Sequence, residues 1–429
     1  MLFHSYEFLF YFLLPFLFFY RFTPSSLKMY LLIFVSFVFY AQWDLIHLGL
    51  LFSSIAVNYV GARVIFGGVG GKMTVWGAVV LNVTVLGIFK YGGFLHLESG
   101  VIPLAISFYT FQQIAYIVDV YKRKITLGSF WEYLFFVMFF PQLIAGPIVH
   151  YREMMGQIKD GVLERFEIGK FQAGVVLFSV GMFSKVVLAQ NLVHAKYEDW
   201  ADLFSYSLML YFDFSGYANM AIGLGLMFGV VLPQNFNSPY KARNMVEFWR
   251  RWHITLGTFL KEHIYIPLGG SRSGYGVQVF ALLGTMVVAG VWHGSGWNFL
   301  LWGIAHGLGL VVVHVSPIKV PRVLAILMTF LYVTLLWVLF FSANLQEAFA
   351  LYRTLFSFGA FEVSVKEWAF LLGGLVLVWF LPNASELLGM QEGTMRVKAW
   401  HGVLAGILLF VSLKIVASTP ATTFVYFNF

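Results

Sequence analysis

The sequence has 429 residues, of which 60% are hydrophobic and 11% are charged, and its mean hydropathy is +0.80. Soluble domains carry roughly 25% charged residues, so this chain has too few polar groups to cover a water-facing surface. The composition excludes a soluble protein and predicts an integral membrane protein. The formal net charge of +7 comes from basic residues in short loops. This pattern indicates that the basic residues set the orientation of the chain in the membrane and contact anionic lipids. It does not predict a nucleic acid as partner.

The sequence contains no cysteine, which excludes a disulfide framework, a cysteine-ligated metal and an acyl-cysteine intermediate. The N-terminal run Met1–Tyr20 is apolar and lacks a basic start. No small-residue cleavage site follows it, so the run predicts a retained first span and not a cleaved signal peptide.

Hydropathy along the chain predicts an all-α polytopic membrane protein with roughly ten to twelve hydrophobic helices. In chain order the predicted segments are Phe8–Tyr20, Leu31–Leu51, Thr74–Ile88, Val101–Val118, Tyr133–Ile148, Gly174–Leu192, Leu203–Gly223, Val277–Trp292, Phe299–His314, Leu324–Phe341, Ala369–Leu381 and Val403–Ile415. The first, third and fifth are short, and we expect them to be tilted, re-entrant or buried in the bundle. Residues 1–429 are predicted to form one membrane domain.

Two polar interruptions precede residue 238. Proline and glycine break the apolar run Pro141–Pro147, which is typical of a re-entrant turn around a cavity. Tyr211–Tyr217 places Asp213 and several hydroxyl groups within an apolar segment. Asp213 would orient a histidine, pair with an arginine or act as a structural hydrogen-bonding hub.

The segment 238–272 is the most basic part of the chain and predicts an amphipathic helix, at the membrane interface or over the bundle. The helix is expected to end at Pro267–Gly270. Arg250 and Arg251 lie opposite the apolar stripe, either as topology charges or to attract a phosphate-bearing donor. The predicted stripe contains Met245, Phe248, Trp249, Trp252, Leu256, Phe259 and Leu260.

His253 lies at the edge of this stripe, so we expect it to face protein and not water. It is either a satisfied buried histidine or a polar group at the mouth of a substrate tunnel. Trp252 is a further candidate for lining such a tunnel.

The segment 273–318 contains no Asp, Glu, Lys or Arg and is too long for one span, which predicts two helices joined at Gly294–Gly296. His293 lies at this turn, directly after Trp292, and His306 lies within the second helix. Each histidine is either a helix–helix hydrogen-bonding group or a functional one, because a neutral buried histidine can act as a general base. No carboxylate lies nearby in sequence, so no metal site is predicted.

Together, these motifs resemble the membrane-bound O-acyltransferases, in the bacterial branch that acetylates alginate and peptidoglycan. A cousin of that branch is the lipoteichoic-acid D-alanylation transporter. The strings that carry the resemblance are ISFY at Ile106–Tyr109, YIVDVY at Tyr116–Tyr121, FPQLIAGP at Phe140–Pro147, YFDFSGYANMAIGLG at Tyr211–Gly225, EFWRRWH at Glu247–His253, YIPLGG at Tyr265–Gly270, WHG at Trp292–Gly294 and TFVYFNF at Thr423–Phe429.

The resemblance implies a helical bundle with a tunnel between the two membrane faces. It assigns the catalytic histidine to His293 and a second histidine to His253, and it includes the string that ends in His306. It also implies a bacterial inner-membrane enzyme with acetyl-CoA or another acyl thioester as donor and no permanently bound cofactor. An extracytoplasmic acetyltransferase would be the partner that receives the acetyl group.

The expected activity is transfer of an acetyl group for O-acetylation of a cell-envelope polysaccharide, peptidoglycan first and an alginate-like exopolysaccharide second. A secondary transporter would also explain the spans and buried polar groups, but the sequence shows no repeated half. A non-catalytic scaffold would explain the low polar content but not the clustered histidines.

Overall fold

In the computed structural model, the described residues are 2–92, 102–194, 197–316, 318–357, 364–390 and 395–418. They contain helices and no β-strand, which confirms the all-α prediction. Two predicted features, Val101 and the string Thr423–Phe429, lie outside the described residues. Among the described helices, seven are long and apolar enough to cross a membrane: Leu45–Phe66, Gly71–Tyr91, Ile168–Leu192, Tyr275–His293, Trp297–Val315, Arg322–Phe341 and Ala399–Ser418.

The chain forms two compact units. The first comprises Met1–Ser179, Tyr217–Pro233 and Met395–Thr423. A π-helical stretch, Glu7–Leu13, leads into its first α-helix. Its helices are α1 (Leu14–Phe22), α2 (Ser25–Ala41), α3 (Leu45–Phe66), α4 (Gly71–Tyr91), α5 (Ile106–Tyr121), α6 (Phe130–Met138), α7 (Phe140–Leu143), α8 (Tyr151–Lys159), most of α9 (Ile168–Phe183), the end of α10 (Trp200–Met227) and, later in the chain, α19 (Ala399–Ser418).

The second unit comprises Val180–Gly216 and Gln234–Thr394. The helix begun by α9 continues here as a π-helical turn, Ser184–Ala189, and a short 3-10 turn, Gln190–Leu192. The start of α10 is followed by α11 (Met245–Trp249), α12 (Ile254–Leu260), α13 (Tyr275–His293), α14 (Trp297–Val315), α15 (Arg322–Phe341), α16 (Leu345–Phe356), α17 (Val365–Phe380) and α18 (Ala384–Leu387).

The structure corrects two of the predicted spans in the first unit. Leu31–Leu51 is not one segment, because α2 ends at Ala41 and α3 begins at Leu45. Between them the Asp44 carboxylate accepts hydrogen bonds from the first amides of α3, at 2.7 and 3.0 Å, which caps that helix. Thr74–Ile88 is not a short segment, since it belongs to the 21-residue helix α4.

The predicted break at Pro141–Pro147 is present and wholly buried in the first unit. The helix stops at Phe139, whose φ and ψ of −51° and 104° are not helical, and a single turn, α7, follows. The freed carbonyl of Phe136 accepts a hydrogen bond from Gln142 Nε2 at 2.6 Å. A side-chain amide thus satisfies a backbone group that the broken helix leaves unpaired in an apolar environment.

In the second unit, α13 and α14 form a helix pair whose close approach depends on glycine. A Cβ atom on Gly303 would lie 2.3 Å from the Met286 carbonyl oxygen, and one on Gly290 would lie 2.3 Å from that of Phe299. Gly303 and Gly307 are four residues apart on α14, the small-residue spacing that lets membrane helices pack closely. This packing fixes the position of the turn that carries His293.

We expect Gly303→Ala to force α13 and α14 apart and to lower the melting temperature of the detergent-solubilised protein. Overpacking of this kind typically costs about 1–3 kcal/mol. Gly276→Ala is the matched control on α13, because a Cβ atom there would meet no heavy atom within 4 Å. Equal melting temperatures for the two variants would show that the helix contact tolerates a methyl group.

Candidate functional site

His293 is the last residue of α13, at the turn predicted between the two apolar helices. It is 3% exposed, and its ring lies 5.1 Å, centroid to centroid, from the rings of Trp302 and Phe340. Gly294 follows in an extended conformation, and a Cβ atom there would lie 2.1 Å from the Phe299 ring. The absent side chain therefore allows the chain to turn directly beside the imidazole.

Trp292 contacts both candidate catalytic histidines. The centroid of its indole lies 4.7 Å from the His293 ring and 6.4 Å from the His253 ring. The fold thus brings together two histidines that come from different helices, with one indole as their common neighbour. The tunnel that the resemblance implies stays a prediction.

His253 is fully buried and has a left-handed backbone conformation, with φ 44° and ψ 54°. Such a conformation is uncommon outside glycine and persists where the surrounding structure imposes it, often at functional sites. Two backbone hydrogen bonds hold the turn: Asn237 N donates to Arg251 O, and Ile254 N donates to Asn235 O, both at 2.9 Å.

This turn shows that the prediction of one continuous amphipathic helix over 238–272 was wrong. The structure has a 3-10 turn, Pro239–Lys241, then α11, the left-handed turn, α12 and a π-helical turn, Lys261–Tyr265. The apolar periodicity is real, but hydrogen bonds with Asn235 and Asn237, which are distant in sequence, replace helical ones at the turn. The predicted stripe still faces the interior, with buried Met245, Phe248, Trp252, Leu256, Phe259 and Leu260.

Asn235 is a site residue that the sequence reasoning missed. Its Oδ1 accepts hydrogen bonds from Thr255 N at 3.2 Å and Thr255 Oγ1 at 2.9 Å, and it lies 3.2 Å from His253 Nδ1. Because this oxygen can only accept, Nδ1 of His253 carries the proton and Nε2 carries the lone pair. The polar run Gln234–Asn237, immediately after a buried helix and a proline, is the sequence signal that could have identified it.

His253 lies between the candidate spans and not inside one. Burial lowers the pKa of His253 to about 3, because the charged form loses its hydration. The ring is therefore neutral at physiological pH and presents an acceptor at Nε2.

His306, in the middle of α14, is fully buried among aromatic rings. Its ring centroid lies 4.4 Å from that of Trp302, 5.2 Å from Trp249 and 6.3 Å from Trp337. In the part of the chain that the structure describes, neither of its ring nitrogens has a hydrogen-bond partner, and the same holds for the three indole nitrogens. Because Trp302 also contacts His293, this polar and aromatic cluster adjoins the candidate catalytic histidine.

The remaining candidates of the basic segment have different environments. Trp252 is 2% exposed and packs against Trp337 with centroids 5.1 Å apart, so it belongs to the aromatic core. Arg251 donates to Glu247 Oε1 at 2.7 Å and to the carbonyl oxygen of Asn237 at 3.2 Å. Arg250 is exposed at the end of α11. Of the two arginines, Arg250 is therefore the one whose charge faces outward.

Asp213, on α10, forms a buried ion pair with Lys185. The side chains of Lys185 and Asp213 are only 1% and 7% exposed. The ion-pair partner that the structure shows is a lysine, whereas the predicted pairing was with an arginine. The next residue, Phe214, has its ring 4.9 Å from the ring of His253, so α10 also forms a wall of the site.

Within the described ranges, no group of three or more His, Asp or Glu side chains is arranged to hold a metal ion. The residues that the fold gathers are histidines, tryptophans and one asparagine. They can accept or donate protons and hydrogen bonds in a largely apolar surrounding, which suits general-base chemistry.

Comparison with known proteins identifies the family. The model of the membrane-bound O-acyltransferase family matches residues 119–199 and 198–343. The chain is 40% identical to a peptidoglycan O-acetyltransferase of Helicobacter pylori, over 76% of this chain and 73% of that protein. It is 37% identical to the "Probable alginate O-acetylase AlgI" of Pseudomonas aeruginosa, over 92% of this chain and 79% of that protein.

A more distant relative is a teichoic acid D-alanyltransferase of Streptococcus thermophilus, 28% identical over 49% of this chain and 56% of that protein. The matched residues include both candidate histidines and the turn between α13 and α14. Together with the membrane-spanning helices, these matches show that the chain is a multi-pass membrane protein and an enzyme that belongs to the membrane-bound O-acyltransferase family.

Proposed function

We propose that this protein transfers an acetyl group from a cytoplasmic thioester, acetyl-CoA, across the bacterial inner membrane for O-acetylation of a cell-envelope polysaccharide. The single observation that carries the proposal is that His293 and His253 both contact the indole of Trp292, in a chain of this family. The names of the H. pylori and P. aeruginosa relatives support acetyl as the transferred group. The 40% identity to the H. pylori protein favours peptidoglycan over an alginate-like polymer as the final acceptor.

His293 acts as the general base. It takes the proton of the acceptor hydroxyl, and the oxygen attacks the thioester carbonyl carbon. The tetrahedral intermediate then expels the CoA thiolate, which receives the proton from His293 as the carbon–sulfur bond breaks. The result is an oxygen ester and free CoA, with no oxidant or metal ion required.

His253 positions the donor. With its proton held on Nδ1 by Asn235, the ring offers Nε2 as an acceptor, so it is suited to receive a hydrogen bond from an amide N–H of the donor. Stabilising the carbonyl oxygen would require a donor at Nε2, and the hydrogen bonds to Asn235 Oδ1 argue against that role. Arg250 would attract the donor's phosphates from solution.

The acceptor hydroxyl is a serine of an extracytoplasmic acetyltransferase, which then esterifies the polysaccharide. This step accounts for an enzyme embedded in the membrane acting on a polymer outside it. The alternative, with the same chemical steps, is direct transfer of the acetyl group to a hydroxyl of the polymer.

The test is deletion of the gene in its native host, followed by mild-base release of ester-linked acetate from purified peptidoglycan and exopolysaccharide. We expect one polymer to lose its acetate and to regain it on complementation. Inside-out membrane vesicles that are given acetyl-CoA with a labelled acetyl group should transfer the label into a base-labile ester. Unchanged acetate in both polymers, with no label transferred, would overturn the proposal.

Replacing Asn235 by leucine is expected to reduce acetyl transfer roughly tenfold or more, mainly through a higher KM for the thioester. The substitution removes the acceptor that fixes the His253 tautomer, together with the hydrogen bond that the amide of Thr255 donates to it. Thr255→Ala, which keeps the contact between Asn235 and His253, is the matched control and should have a smaller effect. Equal activity of Asn235→Leu and the unmodified enzyme would contradict the positioning role.

A further inference from the structure

A cleft in the first unit, where several helices end, is lined by none of the candidate histidines. Its cavity has a volume of about 430 Å³. The lining comes from the last turn of α1, the first turns of α2, the residues just before α9 and the end of α10. Since α9 begins a membrane-spanning segment at Ile168, residues 165–167 lie where the chain enters the membrane, at the level of lipid headgroups.

Apolar side chains form most of the cleft. Phe18 and Phe22 line it from α1 and are 63% and 71% exposed, while Phe228 and Leu226 form its buried floor. The floor is fixed to α1, because Tyr20 Oη donates a hydrogen bond to Phe228 O at 3.0 Å. An open apolar cavity beside exposed phenylalanines is suited to a hydrocarbon chain.

Three cationic side chains also line the cleft: Arg21, Lys28 and Arg165. Lys28 Nζ donates to a neutral group, the carbonyl oxygen of Leu163, at 2.9 Å. The Arg21 guanidinium lies 5.3 Å from the ring centroid of Phe166. Within the described ranges neither arginine has a carboxylate partner, so their charges are not neutralised by the protein.

The one carboxylate in the lining does not offset these charges. Glu167 Oε1 accepts a hydrogen bond from Lys170 Nζ at 2.7 Å, and that ion pair is already neutral. The cleft therefore combines an apolar cavity with three cationic side chains, of which Lys28 is buried. Basic pockets between membrane helices at the headgroup level are suited to anionic lipid headgroups.

We propose that this cleft is a binding site for an anionic phospholipid, with the phosphate held by Arg21, Arg165 and Lys28 and an acyl chain along Phe18, Phe22 and Leu226. Charge complementarity and the apolar cavity select a molecule that has both a phosphate and a hydrocarbon chain. The site rests on the membrane embedding of the chain and is independent of the proposed acetyl transfer. A soluble phosphate compound would use the cations but not the apolar walls.

The test uses the full chain in nanodiscs that contain phosphatidylcholine with trace photoactivatable phosphatidylglycerol. In the unmodified protein, we expect cross-links in the peptides that contain residues 17–28 and 165–171. Unlabelled phosphatidylglycerol should compete for them, whereas phosphatidylcholine and millimolar inorganic phosphate should not. Competition by inorganic phosphate alone would reassign the cleft to a soluble phosphate ligand and overturn the lipid assignment.

Variants then test the cations. Arg21→Gln combined with Arg165→Gln should weaken phosphatidylglycerol binding roughly thirtyfold, since each basic residue contributes about a fivefold change in affinity for anionic lipid and the two factors multiply. The double variant with lysine at both positions keeps the charge and should retain binding. Lys319→Gln combined with Arg322→Gln removes the same charge elsewhere and should have no effect. Equal binding by the glutamine and control variants would overturn the proposal.

Discussion

Replacing His293 by alanine is expected to abolish acyl transfer while the protein stays in the membrane. Loss of a general base typically lowers a rate by about 10²–10⁴-fold. The measurement is ester-linked acetate released from cell wall and exopolysaccharide, with the abundance of the protein in the membrane followed in parallel.

His314→Ala is the matched control for this experiment. His314 lies in the last turn of α14, where its Nδ1 is 2.8 Å from the carbonyl oxygen of Leu310, away from the aromatic cluster. We expect this variant to retain full activity. A normal amount of ester-linked acetate in the His293→Ala strain would show that His293 is not the general base. It would favour a transporter or a non-catalytic scaffold instead. Normal abundance without acetate would exclude a purely structural role.

Removing Asp213 is expected to have the largest effect on stability, because it leaves the Lys185 ammonium buried without its carboxylate. Breaking one half of a buried ion pair costs about 3–5 kcal/mol. Asp213→Ala should therefore lower both the amount of protein in the membrane and the melting temperature in detergent. Size-exclusion chromatography after heating measures the change.

The rescue experiment separates structure from catalysis. Lys185→Met combined with Asp213→Leu removes both charges at similar volume, and such replacements are often neutral or stabilising. We expect the double variant to regain the melting temperature and the acetyl-transfer activity. A variant Asp213→Ala that is as stable as the unmodified protein but inactive would instead place the carboxylate in the chemistry.

Local signals in the sequence predicted much of the site. The absence of charge over 273–318, with glycines around His293, was sufficient to predict a helix pair with a histidine at its turn. Both helices and the turn are present, with α13 ending at His293. The apolar stripe around Trp252 was also identified correctly, because burial follows hydrophobicity whether or not the helix is continuous.

Tertiary contacts determined the rest. The left-handed turn at His253 depends on hydrogen bonds with Asn235 and Asn237, and helical periodicity contains no information about partners so distant in the chain. The same holds for the ion pair of Asp213 with Lys185, whose charges are 28 residues apart on different helices.

The sequence by itself therefore determined the membrane environment, the all-α class and the candidate histidines, because these follow from composition, hydropathy and local motifs. Only the tertiary structure decided which histidine nitrogen carries the proton and which indole joins the two histidines. It also decided where the cations of α1 and α2 meet an apolar cavity. Each of these depends on side chains brought together by packing, and the order of residues along the chain does not specify which side chains meet.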